Sequence, residues 1–102
     1  MGFFSKKTHS VSELIAMFES DNIETRTGAV VELAFMDPLP FDELLDALKN
    51  GTPFTRECAA AALGKSGDAR AIEPVREVYK YDNNQAVCAR AREALDRLEG
   101  RM

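Results

Sequence analysis

The chain has 102 residues, 45% of them hydrophobic and 29% charged, and its formal net charge at pH 7 is −4. This length and composition predict one globular domain whose core needs neither metal nor disulfide, and no apolar run approaches the roughly 20 residues that span a bilayer. The negative net charge disfavours non-specific binding to phosphate backbones, so we expect no nucleic-acid partner.

Residues 1–9 are interpreted as a leader that precedes a domain at 10–102. Phe3 and Phe4 stand before Lys6 and Lys7, a combination that can touch a membrane surface. The segment lacks the apolar stretch of a secretory signal, and Lys6 occupies the position where a myristoylation motif requires Ser or Thr. We therefore expect an ordinary short leader and no membrane role.

A repeat of about thirty residues organises the rest of the chain. In each copy, apolar residues at i, i+3 and i+7 mark one face of a helix. The three copies are Val11, Leu14 and Phe18; Phe41, Leu44 and Leu48; and Ile72, Val75 and Tyr79. A second family of helices lies between them, with the copies Arg26, Ala29 and Leu33; Arg56, Ala59 and Leu63; and Cys88, Ala91 and Leu95. The small alanines indicate closely approaching helices.

Helix-capping residues support six helices, which we place at 10–20, 22–36, 40–50, 53–64, 71–81 and 84–98. Ser10 and Glu13 form a capping-box pattern, and Thr52 before Pro53 is a typical helix start. Pro74 predicts that the fifth helix begins late or kinks just before it. No segment indicates a strand. The prediction is an all-α fold, a short α-solenoid of two and a half helical hairpins.

The stretch from Thr55 to Val75 reads TRECAAAALGKSGDARAIEPV. It resembles the HEAT-like repeat of the phycobilisome-lyase type, V-R-x-x-A-A-x-A-L-G-x-L-G-D-x-R-A-I-x-P-L, from which Thr55 and Ser66 depart. The resemblance implies a right-handed superhelix whose second helices line a concave binding surface. It also implies a non-catalytic scaffold that binds proteins. Bilin lyases carry such repeats, so an accessory role in tetrapyrrole handling is the alternative; the aromatic residues available for a groove are Phe35, Phe41, Phe54, Tyr79 and Tyr81.

The residues whose side chains could carry out chemistry are mostly interpreted as structural. The only cysteines, Cys58 and Cys88, form no CxxC pair and have no histidine nearby, which argues against zinc and disulfides and favours the cytoplasm. We interpret both as small, partly buried hydrophobic residues and His9 as exposed. Arg26 and Arg56 are expected to pair with an acidic side chain or a carbonyl of the adjoining repeat. We predict no catalytic residue, metal ligand or cofactor.

The acidic residues are the one surface feature that favours a particular kind of partner. They face away from the apolar stripe, and if their helices line the concave side, that side is acidic and favours a basic protein partner. The alternative is an ordinary solvated face. The candidate protein-binding residues are Glu13, Asp42, Glu43, Asp46, Glu73 and Glu77.

The first helix raises a question of assembly. Met17 and Phe18 lie where a preceding helix would pack in a longer stack, and repeat stacks need polar outer faces. Two solutions are open: Phe3 and Phe4 of the leader cover this edge, or two chains pair through their first helices as a homodimer.

Overall fold

A computed structural model describes residues 9–100, and six α-helices make up most of this range. They are α1 Val11–Ala16, α2 Ile23–Ala34, α3 Phe41–Asn50, α4 Pro53–Ser66, α5 Ile72–Tyr81 and α6 Gln85–Glu99. Short 3₁₀ helices follow α1 at Met17–Glu19 and precede α5 at Ala69–Ala71. Residues 9–100 contain no strand, so the predicted all-α solenoid is confirmed.

The predicted capping residues define most helix starts. Ser10 and Glu13 form the capping box, and Thr52 accepts a hydrogen bond from the Thr55 N–H at the start of α4. Helix α5 begins at Ile72, one residue after the predicted start, so Pro74 lies in its first turn, where the missing N–H costs no helical hydrogen bond. The predicted end of α4 at Gly64 is wrong: the helix continues to Ser66 and ends at Gly67, which has the positive φ of 71°.

The helices form three hairpins, the first of them short, arranged in two layers. Helices α2, α4 and α6 pack side by side in a tight layer, which we call the inner layer. Helices α1, α3 and α5 contact one another much less and form the outer layer.

Small residues cause the close approach within the inner layer. A Cβ atom added at Gly64 of α4 would lie 2.7 Å from the Ala94 Cβ and 2.8 Å from the Ala94 Cα in α6. Ala59 and Ala60 of α4 and Ala91 of α6 are also fully buried. The larger aliphatic residues fill the space between the layers, and the four predicted core residues are fully buried: Leu44, Leu48, Leu63 and Val75.

One repeated polar contact ties each inner helix to the turn before it. Arg26 donates from Nη1 to the Ser20 carbonyl at 2.7 Å, and Arg56 donates from Nη1 to the Gly51 carbonyl at 2.8 Å. At the third position the Cys88 thiol donates to the Asp82 carbonyl at 3.1 Å. Arg56 also forms a bidentate ion pair with Asp82 of the next hairpin, as predicted.

The predicted apolar edge on the first helix is wrong. Phe18 is fully buried, because the 3₁₀ turn at Met17–Glu19 directs its ring into the core, and Met17 is half-buried. The large apolar and aromatic side chains that are exposed lie on other elements: Ile23, Val31 and Phe35 on and just after α2, Phe54 on α4, and Tyr79 and Tyr81 on α5. Phe18 therefore offers no exposed surface to a second chain, and the homodimer through the first helix stays a prediction. The leader residues Phe3 and Phe4 lie outside the described residues.

Candidate functional site

Three of the predicted acidic residues gather at a groove between α1 and α3 in the outer layer. This groove of about 550 Å³ is lined by Ser12 and Ile15 from α1 and by Asp42, Glu43, Asp46 and Ala47 from α3; Asn50, Gly51 and Thr55 complete it. We call it the acidic groove. Its carboxylates are exposed because they follow Phe41 and alternate with the buried Leu44 and Ala47 around the helix.

The other three predicted residues have different positions and roles. The Glu13 side chain accepts the Ser10 N–H in the capping box at 2.8 Å. Glu73 pairs with Arg76 of the same helix. Glu77 lines a separate groove between α3 and α5, together with Leu48 and Val78. The six residues therefore do not line one groove.

The helices that carry these residues, α1, α3 and α5, belong to the outer layer. The inner layer has a groove of about 320 Å³, which crosses α2, α4 and α6 and which we call the inner groove. Its lining residues are Ile23, Arg26, Thr27, Val30, Glu57, Cys58, Ala61, Lys65 and Arg90. The sequence patterns above did not predict this surface. The one signal for it is that Ala61 and Lys65 lie one turn apart on α4, which places a charged side chain beside a small apolar one.

The charged residues of the inner groove differ in how strongly they are held. Arg26 is fixed by the Ser20 carbonyl and by the Phe54 ring, whose centroid lies 4.6 Å from its guanidinium carbon. Arg90 contacts Glu57 at 3.5 Å and Glu93 at 2.9 Å. Within residues 9–100, Lys65 forms no ion pair.

The two thiols have structural surroundings. Cys58 is buried, and burial followed by the negative charge of Glu57 raises its pKa to about 11. Because the thiolate is the nucleophilic form, this thiol is unreactive near neutral pH. Cys88 is half-buried and hydrogen-bonded to the Asp82 carbonyl. Both observations agree with the structural interpretation of the cysteines.

His9 is half-buried rather than exposed as predicted, and its Nδ1 atom is buried without a hydrogen-bond partner among residues 9–100. In the same part of the chain, no group of three or more His, Cys, Asp or Glu side chains is arranged to hold a metal ion.

The aromatic residues considered for a chromophore groove do not line a common groove among those described. The guanidinium carbon of Arg70 is 4.2 Å from the centroid of the Phe41 ring, and Arg26 covers Phe54 in the same manner. Tyr81 lines the groove between α3 and α5. None of the grooves described above is lined by more than one of these aromatic residues.

Comparison with known proteins identifies the repeat. The sequence matches the family of HEAT repeats over residues 10–96, which covers all six helices except the last residues of α6. The chain belongs to the HEAT-repeat family. The match is to HEAT repeats in general and does not distinguish the phycobilisome-lyase type. No curated protein and no solved structure matches this HEAT chain. Among residues 9–100, no HEAT helix has the length and hydropathy to cross a membrane.

Proposed function

We propose that this HEAT protein is a non-catalytic scaffold that binds another protein, and that its acidic groove receives a basic segment of that partner. HEAT repeats commonly serve as protein-interaction scaffolds, which supports the general role. Cys58 has the most obvious potential nucleophile of the chain, but its thiol is buried and its pKa is raised. Both observations support a structural role for Cys58.

The observation that carries the proposal is the chemistry of the acidic groove. Ile15 and Ala47 supply apolar surface, and Asp42, Glu43 and Asp46 surround it with carboxylates. Asp46 accepts a hydrogen bond from Asn50 at 2.8 Å, whereas neither Asp42 nor Glu43 forms an ion pair within residues 9–100. A lysine- or arginine-bearing segment can therefore bury its aliphatic carbons on the groove floor while its charge meets unpaired carboxylates.

The test compares two charge-reversed variants of the full chain. Asp42→Lys combined with Asp46→Lys changes the acidic groove, and Glu24→Lys combined with Glu32→Lys makes the same change of charge at exposed positions of α2. A partner captured with the wild-type chain is then titrated against all three proteins at low and high salt. We expect the groove variant to bind about tenfold more weakly, which corresponds to about 1.4 kcal/mol, and the control to bind as the wild type does.

Salt provides a second criterion in the same titration. Exposed charges are screened over about 10 Å at 0.1 M salt, so binding through the acidic groove should weaken as salt is raised. Binding that is independent of salt and equal in all three proteins contradicts a role for the acidic groove.

The accessory role in tetrapyrrole handling is the alternative that the sequence resemblance raised. It has less support, because the candidate aromatic residues do not share one groove. Titration with bilin or heme tests it: a saturable shift of the visible absorption band at micromolar ligand would favour this alternative over the scaffold.

A further inference from the structure

The inner groove is basic in a chain whose net charge is −4. A smaller groove continues it along α4 and α6 and adds Glu93, Ala94 and Arg97 to its lining. Together, the lining of the two contains four cationic and two acidic side chains, which are Arg26, Lys65, Arg90 and Arg97, and Glu57 and Glu93. The lining of the inner groove is thus mainly positive, whereas the lining of the acidic groove is negative.

The cations at the α6 end are available to a ligand. Lys65 and Arg97 form no ion pair within the described part of the chain. The Arg90 side chain is 43% exposed and forms two surface ion pairs, with Glu57 at 3.5 Å and with Glu93 at 2.9 Å. Such exposed pairs contribute little to stability, so Arg90 can exchange its partner for a ligand carboxylate at small cost.

The α2 end of the same groove is apolar. Val30 is buried in its floor, Ala61 lies beside it on α4, and Ile23 stands at the rim with 65% of its surface exposed. An exposed isoleucine next to a cationic rim favours a ligand that has both an apolar side chain and negative charge.

We propose that the inner groove binds an acidic segment of a partner protein, with an apolar side chain against Ile23 and Val30 and carboxylates toward Lys65, Arg90 and Arg97. This inference rests on the proposed scaffold function and deepens it by assigning a second surface and the chemistry of its partner. The two layers then bind segments of opposite charge, so one HEAT chain can hold a basic and an acidic segment together.

A polypeptide fits the inner groove better than a nucleic acid does. Glu57 and Glu93 lie among the cations and would repel a continuous phosphate backbone. A peptide can instead carry apolar and acidic side chains in turn, and such a sequence matches the apolar floor and the separated cations of the inner groove.

The experiment selects ligands without assuming their sequence. A displayed library of random peptides, each about 12 residues long, is selected against the full chain, and the enriched peptides are labelled for fluorescence anisotropy. They are titrated with the wild type, with Lys65→Glu plus Arg97→Glu, and with the control Lys80→Glu plus Arg92→Glu. Lys80 and Arg92 are exposed outside the inner groove, so the control makes the same change of charge elsewhere.

The proposal predicts enrichment of peptides that combine acidic and apolar residues and that bind the Lys65 and Arg97 variant about tenfold more weakly than the control. It is overturned if acidic peptides bind both variants equally, or if single-stranded RNA or heparin binds the wild type with the same dependence on Lys65 and Arg97. It is also overturned if the groove cations act in self-association, seen as wild-type oligomers that only the groove variant dissociates.

The same selection separates this inference from the proposed function. Enrichment of basic peptides that depend on Asp42 and Asp46, with no acidic peptides, overturns the inner-groove proposal and leaves the scaffold standing. No enriched peptide of either kind contradicts both.

Discussion

At the residue scale, three different side chains occupy the repeated position at the start of the inner helices. Arg26, Arg56 and Cys88 each donate to a carbonyl of the preceding turn. The predicted pairing with the adjoining repeat holds for Arg56, which reaches Asp82, but not for Arg26, whose hydrogen bond to Ser20 lies within its own hairpin. The contact of Cys88 was not predicted. The short side chain of Cys88 still reaches the carbonyl of the turn before its helix, but it cannot reach a neighbouring hairpin as Arg56 does.

The ion pair between Arg56 and Asp82 gives a prediction about pH. Burial tends to raise the pKa of Asp82, but the hydrogen bonds from Arg56 and the Asn84 N–H, with the Arg56 charge, outweigh it and hold the pKa below its usual value. Hydrogen bonds from Thr52 and Thr55 lower the pKa of Glu19, and those from Arg70 lower the pKa of Asp68. The unfolded chain therefore binds protons more tightly than the folded chain at these groups.

We therefore expect the free energy of unfolding to be highest above about pH 4, the usual range for free carboxyls, and to decrease as the pH falls below it. Urea denaturation at about pH 7 and about pH 3 measures this decrease. The matched variant is Asp82→Asn. Its free energy of unfolding should decrease less between these two pH values, because it lacks one of the carboxyls whose pKa is lowered in the folded chain. A decrease of equal size in both proteins would show that the ion pair does not contribute to the pH dependence.

At the scale of the elements, helix positions and caps were largely predictable because they depend on nearby residues. Ser10, Thr52 and Pro74 act within their own helix turns, and their local patterns identified three helix starts. The end of α4 and the burial of Phe18 were missed because both depend on contacts that are distant in sequence. Gly64 suggested a helix end, yet its small size serves the contact with Ala94.

The two glycines inside helices give a matched pair of substitutions. Gly64→Ala places a Cβ within 3 Å of the Ala94 backbone, so α4 and α6 must separate, whereas a Cβ at Gly28 has no neighbour within 4 Å. We expect Gly64→Ala to lower the free energy of unfolding by about 1–2 kcal/mol, and Gly28→Ala to raise it by about 0.5–1 kcal/mol through helix propensity. Thermal and urea denaturation of both variants measure the difference. A stabilising Gly64→Ala would contradict the close approach of the inner helices.

At the scale of the whole molecule, the hairpin arrangement places two grooves of opposite charge on different layers. Asp42, Glu43 and Asp46 lie on the outer layer, while Lys65 and Arg90 lie on the inner layer. The sequence identified the acidic residues as a set, but it could not assign the layers. That assignment depends on which helices approach closely, and the approach is decided by contacts such as Gly64 with Ala94.

The central claim is that this HEAT stack acts by binding a protein at its grooves, and amide chemical shifts test it most directly. At 11.3 kDa, the chain is well suited to a two-dimensional NMR titration with its captured partner. The account predicts that the shifts concentrate on residues that line the acidic groove, such as Ser12, Asp42 and Asp46, and that the partner is released chemically unchanged. A partner that binds while these resonances stay fixed, or that is converted to a product, would contradict the account.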